Sequence, residues 1–92
     1  MFANAFDMDV AAIRSSYPKH PSSAYSEIER VLSKFGFKRI QESIFAAETD
    51  DMANMLSAIL ALKALEWFGP CVKNIRGFRM EQGSDFTAIV KG

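Results

Sequence analysis

The sequence predicts an α+β protein of the split βαβ, ferredoxin-like kind (βαββαβ), in which an antiparallel sheet carries two helices on one face. Three observations predict it. Short apolar or β-branched runs open the chain, recur in its middle and return toward its end. Between them lie two segments whose apolar residues repeat at helical spacing. The order is therefore strand, helix, strand, strand, helix, strand. The chain's 92 residues suit one such domain over residues 1–92, and a domain of this size buries only about two thirds of the surface its unfolded chain exposes. Self-association would add to that burial.

The first strand is Phe2-Ala3-Asn4-Ala5-Phe6, an apolar run that stops at Asp7-Met8-Asp9. Residues 9–17 can form a short helix or helical turn. Tyr17-Pro18-Lys19-His20-Pro21-Ser22-Ser23 is a loop, because two prolines and serines break any regular pattern. Tyr25, Ile28, Val31, Leu32 and Phe35 then mark a helix with one apolar face, with Ser22 or Ser23 as its cap and Gly36 as its stop. Residues 37–41 and 43–47 read as two short strands around Glu42, a poor turn residue because it disfavours a positive φ. Thr49 is the expected N-cap of the next helix. Asp50 and Asp51 suit its positive end, and Glu48 belongs to the same helix-start charges. Met52, Met55, Leu56, Ile59, Leu62 and Leu65 form a helical stripe that reads as core. Trp67-Phe68-Gly69-Pro70 ends that helix. Residues 72–81 mix β-branched and aromatic side chains with Lys73, Arg76 and Arg79, the pattern of a long, partly exposed strand. Gly83-Ser84 gives a turn before a short tail.

Bulk composition removes several classes. Lys plus Arg and Asp plus Glu number 11 each, and 49% of residues are hydrophobic. This chain is not of a disordered type and has no overall basic field for long nucleic acid. Any nucleic-acid site is a local patch. Cys71 is the single cysteine, so neither a disulfide scaffold nor a zinc module is supported, and the thiol reads as part of the core. No basic segment precedes an apolar one in the manner of a signal peptide. No apolar run approaches the ~18 residues that a membrane span needs. The expectation is a cytoplasmic protein.

In a split βαβ sheet the first and last long strands are neighbours, expected at its centre. Asp7 then comes near Val72-Lys73-Asn74-Ile75-Arg76, and the hairpin brings Ser43 toward the same region. A carboxylate, an amide, a hydroxyl and cations suit a phosphodiester. The cations offset charge on its non-bridging oxygens, and the carboxylate takes a proton from an attacking hydroxyl or holds a divalent ion. Each residue has a plainer reading. Asp7 or Asp9 can cap the following helix; Lys73, Arg76 and Arg79 can be a solvated strand edge; Ser43 can be a turn residue. His20, in its proline-flanked loop, reads as a surface histidine or as a mobile general acid. Phe2, Phe6, Ile44, Phe45 and Phe78 are expected on the open face of the sheet, too apolar to stay solvated, so a dimer packed through the sheets would cover them.

Ala5-Phe6-Asp7-Met8-Asp9, Ala24-Tyr25, Gly36-Phe37 with Gln41 and Ser43, and Val72-Lys73-Asn74-Ile75-Arg76-Gly77-Phe78-Arg79 with Ser84-Asp85-Phe86 resemble the VapD family. These are virulence-associated small bacterial endoribonucleases, and the likeness runs in order along nearly the whole chain. The resemblance implies a ferredoxin-like subunit related in architecture to the small dimeric nuclease subunit of CRISPR adaptation machinery. It also implies a homodimer that cleaves RNA and, in some bacteria, is the toxin of a toxin and antitoxin pair. Asp7 matches the family's strand-end acid and Ser43 its hairpin serine. Asn74 completes the catalytic set, and Lys73, Arg76 and Arg79 are the substrate-binding candidates. No cofactor is fixed; if the reaction uses a divalent ion such as Mg, Asp7 would hold it.

The chain also departs from the family pattern. Relatives read Gln-Gly-Ser, an aliphatic residue and Tyr where this chain has Gln41-Glu42-Ser43-Ile44-Phe45. Asn74 stands where relatives commonly carry aspartate, and an amide is no general base and a weaker ligand for a hard cation. The alternative reading is a non-catalytic homodimer that binds RNA or a protein. A small-ligand sensor on the same fold is a third.

Overall fold

The computed structural model describes residues 1–41, 43–80 and 90–91. Its elements are β1 (Phe2–Met8), α1 (Val10–Ser16), α2 (Pro21–Ser33), β2 (Lys38–Gln41), β3 (Ile44–Ala47), α3 (Met52–Lys63), α4 (Phe68–Cys71) and β4 (Val72–Arg79). The four strands form an antiparallel sheet in the order β2-β3-β1-β4. This is the expected α+β, ferredoxin-like layout. The residue-42 turn, the Gly83-Ser84 turn and the Ser84-Asp85-Phe86 segment lie outside the described residues.

One expectation on sheet order is corrected. β1 and β4 are neighbours, but β1 shares the centre with β3, and β4 is an edge among the described strands.

The two-residue period of β1 sorts its side chains between the faces. Phe2, Phe6 and Met8 enter one buried cluster with Phe45, Ala47, Ile28, Leu32, Met55, Ala58 and Leu62, which joins the sheet to both long helices. Phe6 stacks on Phe45 with centroids 5.8 Å apart and meets Phe68 edge-on at 6.3 Å. The odd positions Ala3, Ala5 and Asp7 take the other face. The expectation of an apolar open face is thus overturned for Phe2, Phe6 and Phe45, which are core residues. Phe78 is 39% exposed and Ile44 half-buried, so the open face is less apolar than the sequence suggested. Among the buried side chains, Asn4 stands out: both its amide atoms are buried without a hydrogen-bond partner.

Helix starts differ from expectation by a residue or two, each time for a capping reason. His20 caps α2 in place of Ser22 or Ser23, its Nδ1 accepting from the Ser22 N–H at 3.3 Å. Pro21 at the first helical position lacks the N–H that would go unpaired there, which fixes the start. Asp51 caps α3 in place of Thr49, its Oδ1 accepting from Ala53 N–H at 2.9 Å and Asn54 N–H at 3.3 Å. Gly36, at φ 80°, ends α2 as expected, and the Phe37 N–H returns to the Leu32 carbonyl. Beyond α3 the chain does not simply stop at Gly69-Pro70, because Phe68–Cys71 form one further helical turn. Trp67 and Phe68 are buried there, with Tyr17 edge-on to Trp67 at 4.7 Å. No helix among the described residues is long and apolar enough to cross a membrane.

Candidate active site

Two acids follow Phe6, and the fold gives them separate tasks. The Asp9 Oδ1 accepts from the Ala12 N–H at 3.1 Å and caps α1, while the Asp9 N–H donates to the Cys71 carbonyl at 2.7 Å. Capping is therefore the work of Asp9. Asp7 is the last residue of β1 but one, exposed, and points to the face away from the helices.

Opposite Asp7 in the β1–β4 ladder stands Asn74, and opposite Ala5 stands Arg76. Directly paired residues share a face, and a diagonal neighbour two residues along lies roughly 7–8 Å away. Asp7, Asn74 and Arg76 are thus gathered on one exposed surface. The register slips between Asp7 and Met8, because Met8 faces Val72 and leaves Lys73 as the extra residue of a β-bulge. Lys73 is exposed at that kink, where the strand bends beside the carboxylate. No sequence signal marks the bulge; it is visible only once the register is known. Ser43 adjoins from the other flank, its carbonyl accepting from the Phe6 N–H at 3.2 Å.

Arg79 is not part of this group. It pairs with Phe2, five residues along the ladder from Asp7, a separation of about 17 Å at strand rise. Its guanidinium lies 5.6 Å from the centre of the Phe2 ring, and its Nη2 reaches Asp50 Oδ2 at 3.3 Å. His20 is engaged at the start of α2, with Ser22 Oγ 2.8 Å from its Nδ1. Cys71 is buried, and burial, reinforced by the Asp9 charge, pushes its thiol up. A thiol held protonated in this way is a poor nucleophile. Glu48, Asp50 and Asp51 gather at the approach to α3, where Asp51 caps the helix and Asp50 pairs with Arg79 and the Met1 ammonium. A surface cavity of ≈ 450 Å³ lined by Lys34, Lys38, Glu48, Thr49 and Asn54 holds none of the candidate catalytic residues.

Among the described residues no group of three or more His, Cys, Asp or Glu is placed to hold a metal ion. Asp7 with the Asn74 amide oxygen offers two hard donors. That fits Mg²⁺, which commonly keeps waters and takes one or two carboxylates plus substrate phosphate.

No family model matches the chain. Whole-length similarity is nevertheless high. The chain is 52% identical over 91 residues to the endoribonuclease VapD homolog of Neisseria gonorrhoeae, covering 99% of each chain. The chain belongs to the VapD family. It is also 44% identical over 91 residues to endoribonuclease VapD of Haemophilus influenzae, again over 99% of each. The VapD protein of Dichelobacter nodosus is 39% identical over 92 residues, 100% of this chain and 99% of that one. In this VapD-family chain one departure from the usual pattern falls on the site itself, since Asn74 is the residue that faces Asp7. The other, Glu42, lies outside the described residues.

Proposed function

We propose that this chain is an endoribonuclease that cleaves single-stranded RNA. Asp7 is the catalytic base, or the anchor of a divalent ion, which when bound would polarise the scissile phosphate. In the first role its carboxylate takes the proton of the attacking hydroxyl. Arg76 and Lys73 offset charge on the non-bridging oxygens, and the Asn74 amide donates a hydrogen bond that orients the phosphate. Ser43 contacts the scissile phosphate. Arg79, engaged by Asp50 and Phe2, is left out of the substrate contacts. One observation carries the reading: in a chain so similar to VapD endoribonucleases, an exposed strand-end carboxylate faces Asn74 with Arg76 diagonal to it. The proposal extends to a cytoplasmic homodimer acting as the toxin of a toxin and antitoxin pair.

The test is cleavage of labelled RNA by purified protein and by Asp7→Ala, with and without a chelator. Removing a positioned general base lowers the rate by roughly 10²–10⁴-fold, so a variant as active as the wild type refutes the assignment. Loss of wild-type cleavage on chelation assigns Asp7 to a metal.

Asn74 itself favours a second reading, in which the same dimer binds RNA or a protein without cutting. Asn74→Asp separates the two. Wild-type inactivity with strong cleavage by Asn74→Asp identifies a degenerated enzyme; inactivity of both with retained RNA binding identifies a binding module.

A further inference from the structure

The core uses only one side of α3. Met55, Ala58 and Leu62 are buried against the sheet, and the Asn54 Nδ2 donates to the Phe35 carbonyl at the end of α2, 2.8 Å away. Yet Met52, Leu56 and Leu60 are 60%, 56% and 52% exposed. They recur every four residues and form a single ridge along the helix. A helix apolar on nearly all sides is normally covered on all sides.

We infer that this ridge is the contact surface for a second copy of this chain, with the two α3 helices antiparallel about a two-fold axis at Leu56. The ridge is symmetric about that residue. In the antiparallel pairing Leu56 meets its own copy and Met52 meets Leu60. The ends complement as well: α3 follows Glu48 and Asp51 and closes with Lys63, all exposed. Reversing one helix sets Lys63 of each copy toward the acidic approach of the other and opposes the two helix dipoles. A charged rim around an apolar centre is the usual anatomy of such contacts. The helices lie on the other side of the sheet from Asp7, so the assembly leaves the candidate active site uncovered and does not rest on its chemistry. A single helix pair is small beside the ~1,200 Å² and more of stable interfaces, so the association depends on concentration.

Sedimentation equilibrium of the full chain from micromolar to millimolar concentration tests the inference. The wild-type mass is expected to rise with concentration by a doubling that Leu56→Glu abolishes and Ile40→Glu, at an equally exposed site, retains. Leu56→Cys is expected to form an intermolecular disulfide under mild oxidation. Ser57→Cys, turned about 100° away on the helix, is expected to stay reduced, with buried Cys71 adding little background. Circular dichroism confirms that each variant is folded. A doubling that survives Leu56→Glu, a doubling lost instead in Phe78→Glu on the sheet face, a mass independent of concentration, or equal cross-linking at the two cysteines overturns the inference.

Discussion

Replacing Asn4 by valine should make this protein more stable. Asn4 is at 0% exposure in the middle of β1, opposite Phe45 on one side and Gly77 on the other, and neither its Oδ1 nor its Nδ2 has a partner. Each unpaired buried polar group costs about 1–3 kcal/mol relative to its hydrated state in the unfolded chain. Valine removes both, suits a strand, and opposes a glycine that leaves room for its methyl groups. Setting about 1 kcal/mol of packing adjustment against the gain leaves a net stabilisation of roughly 1–3 kcal/mol. For a domain of this size that is a rise in Tm of roughly 5–15 °C. Thermal melts followed by circular dichroism, with urea midpoints at unchanged m, measure it. Asn4→Ala, which leaves a small void, should gain less than Asn4→Val. A valine variant equal to or less stable than the wild type refutes the reasoning, because it means the amide is hydrogen-bonded in solution.

Further outcomes follow from the caps and the buried acids. Asp9→Ala loses the α1 cap and should destabilise by about 1 kcal/mol in urea titration, with Asp7 still in place. Gly77→Ala should be neutral or slightly stabilising by the same measurement, since an added Cβ meets Met55 Cε at an ordinary 3.5 Å and the unfolded chain loses freedom. Burial first, then the hydrogen bond to Glu27, raises Tyr17 above its ordinary 10.0, and burial raises Cys71 above 9.0. The unfolded chain therefore releases these protons first, and stability present below those values is lost as pH rises through the folded values. Urea midpoints measured in alkali should fall less steeply in Tyr17→Phe. Asp50 runs the other way, because a hydrogen bond from the Met1 ammonium holds its carboxyl below the ordinary 3.8. Its stabilisation is present above that value and lost as pH falls through the lowered one, so wild type and Asp50→Asn should converge in acid.

Much of this fold could be read from the chain because its signals are local. Gly36 takes the positive φ that ends α2, and the order of apolar runs gives the strand and helix sequence. Facing was harder, although the two-residue period already places Phe6 and Asp7 on opposite sides of one strand. An open face holding both Phe6 and the catalytic carboxylate contradicts that period. The caps at His20 and Asp51 were missed because several polar residues compete within two positions, and the choice depends on where the preceding loop is anchored. For the site, the sequence indicated that Asp7, Asn74 and Arg76 are near one another. It could not show that Arg79 sits five residues away along the ladder, nor that Lys73 occupies a bulge, because register is a property of the pairing and not of either strand.

The position of Asp7 on β1 has a mechanical consequence. β1 is hydrogen-bonded on both sides, to β3 and β4, and the residue after the bulge is tied by its N–H to Cys71 at the end of α4. A side chain carried there has no loose segment of its own to melt, since opening it requires separating the middle of the sheet, which approaches global unfolding in free energy. Heat should therefore abolish the carboxylate's geometry and the fold together, at one temperature.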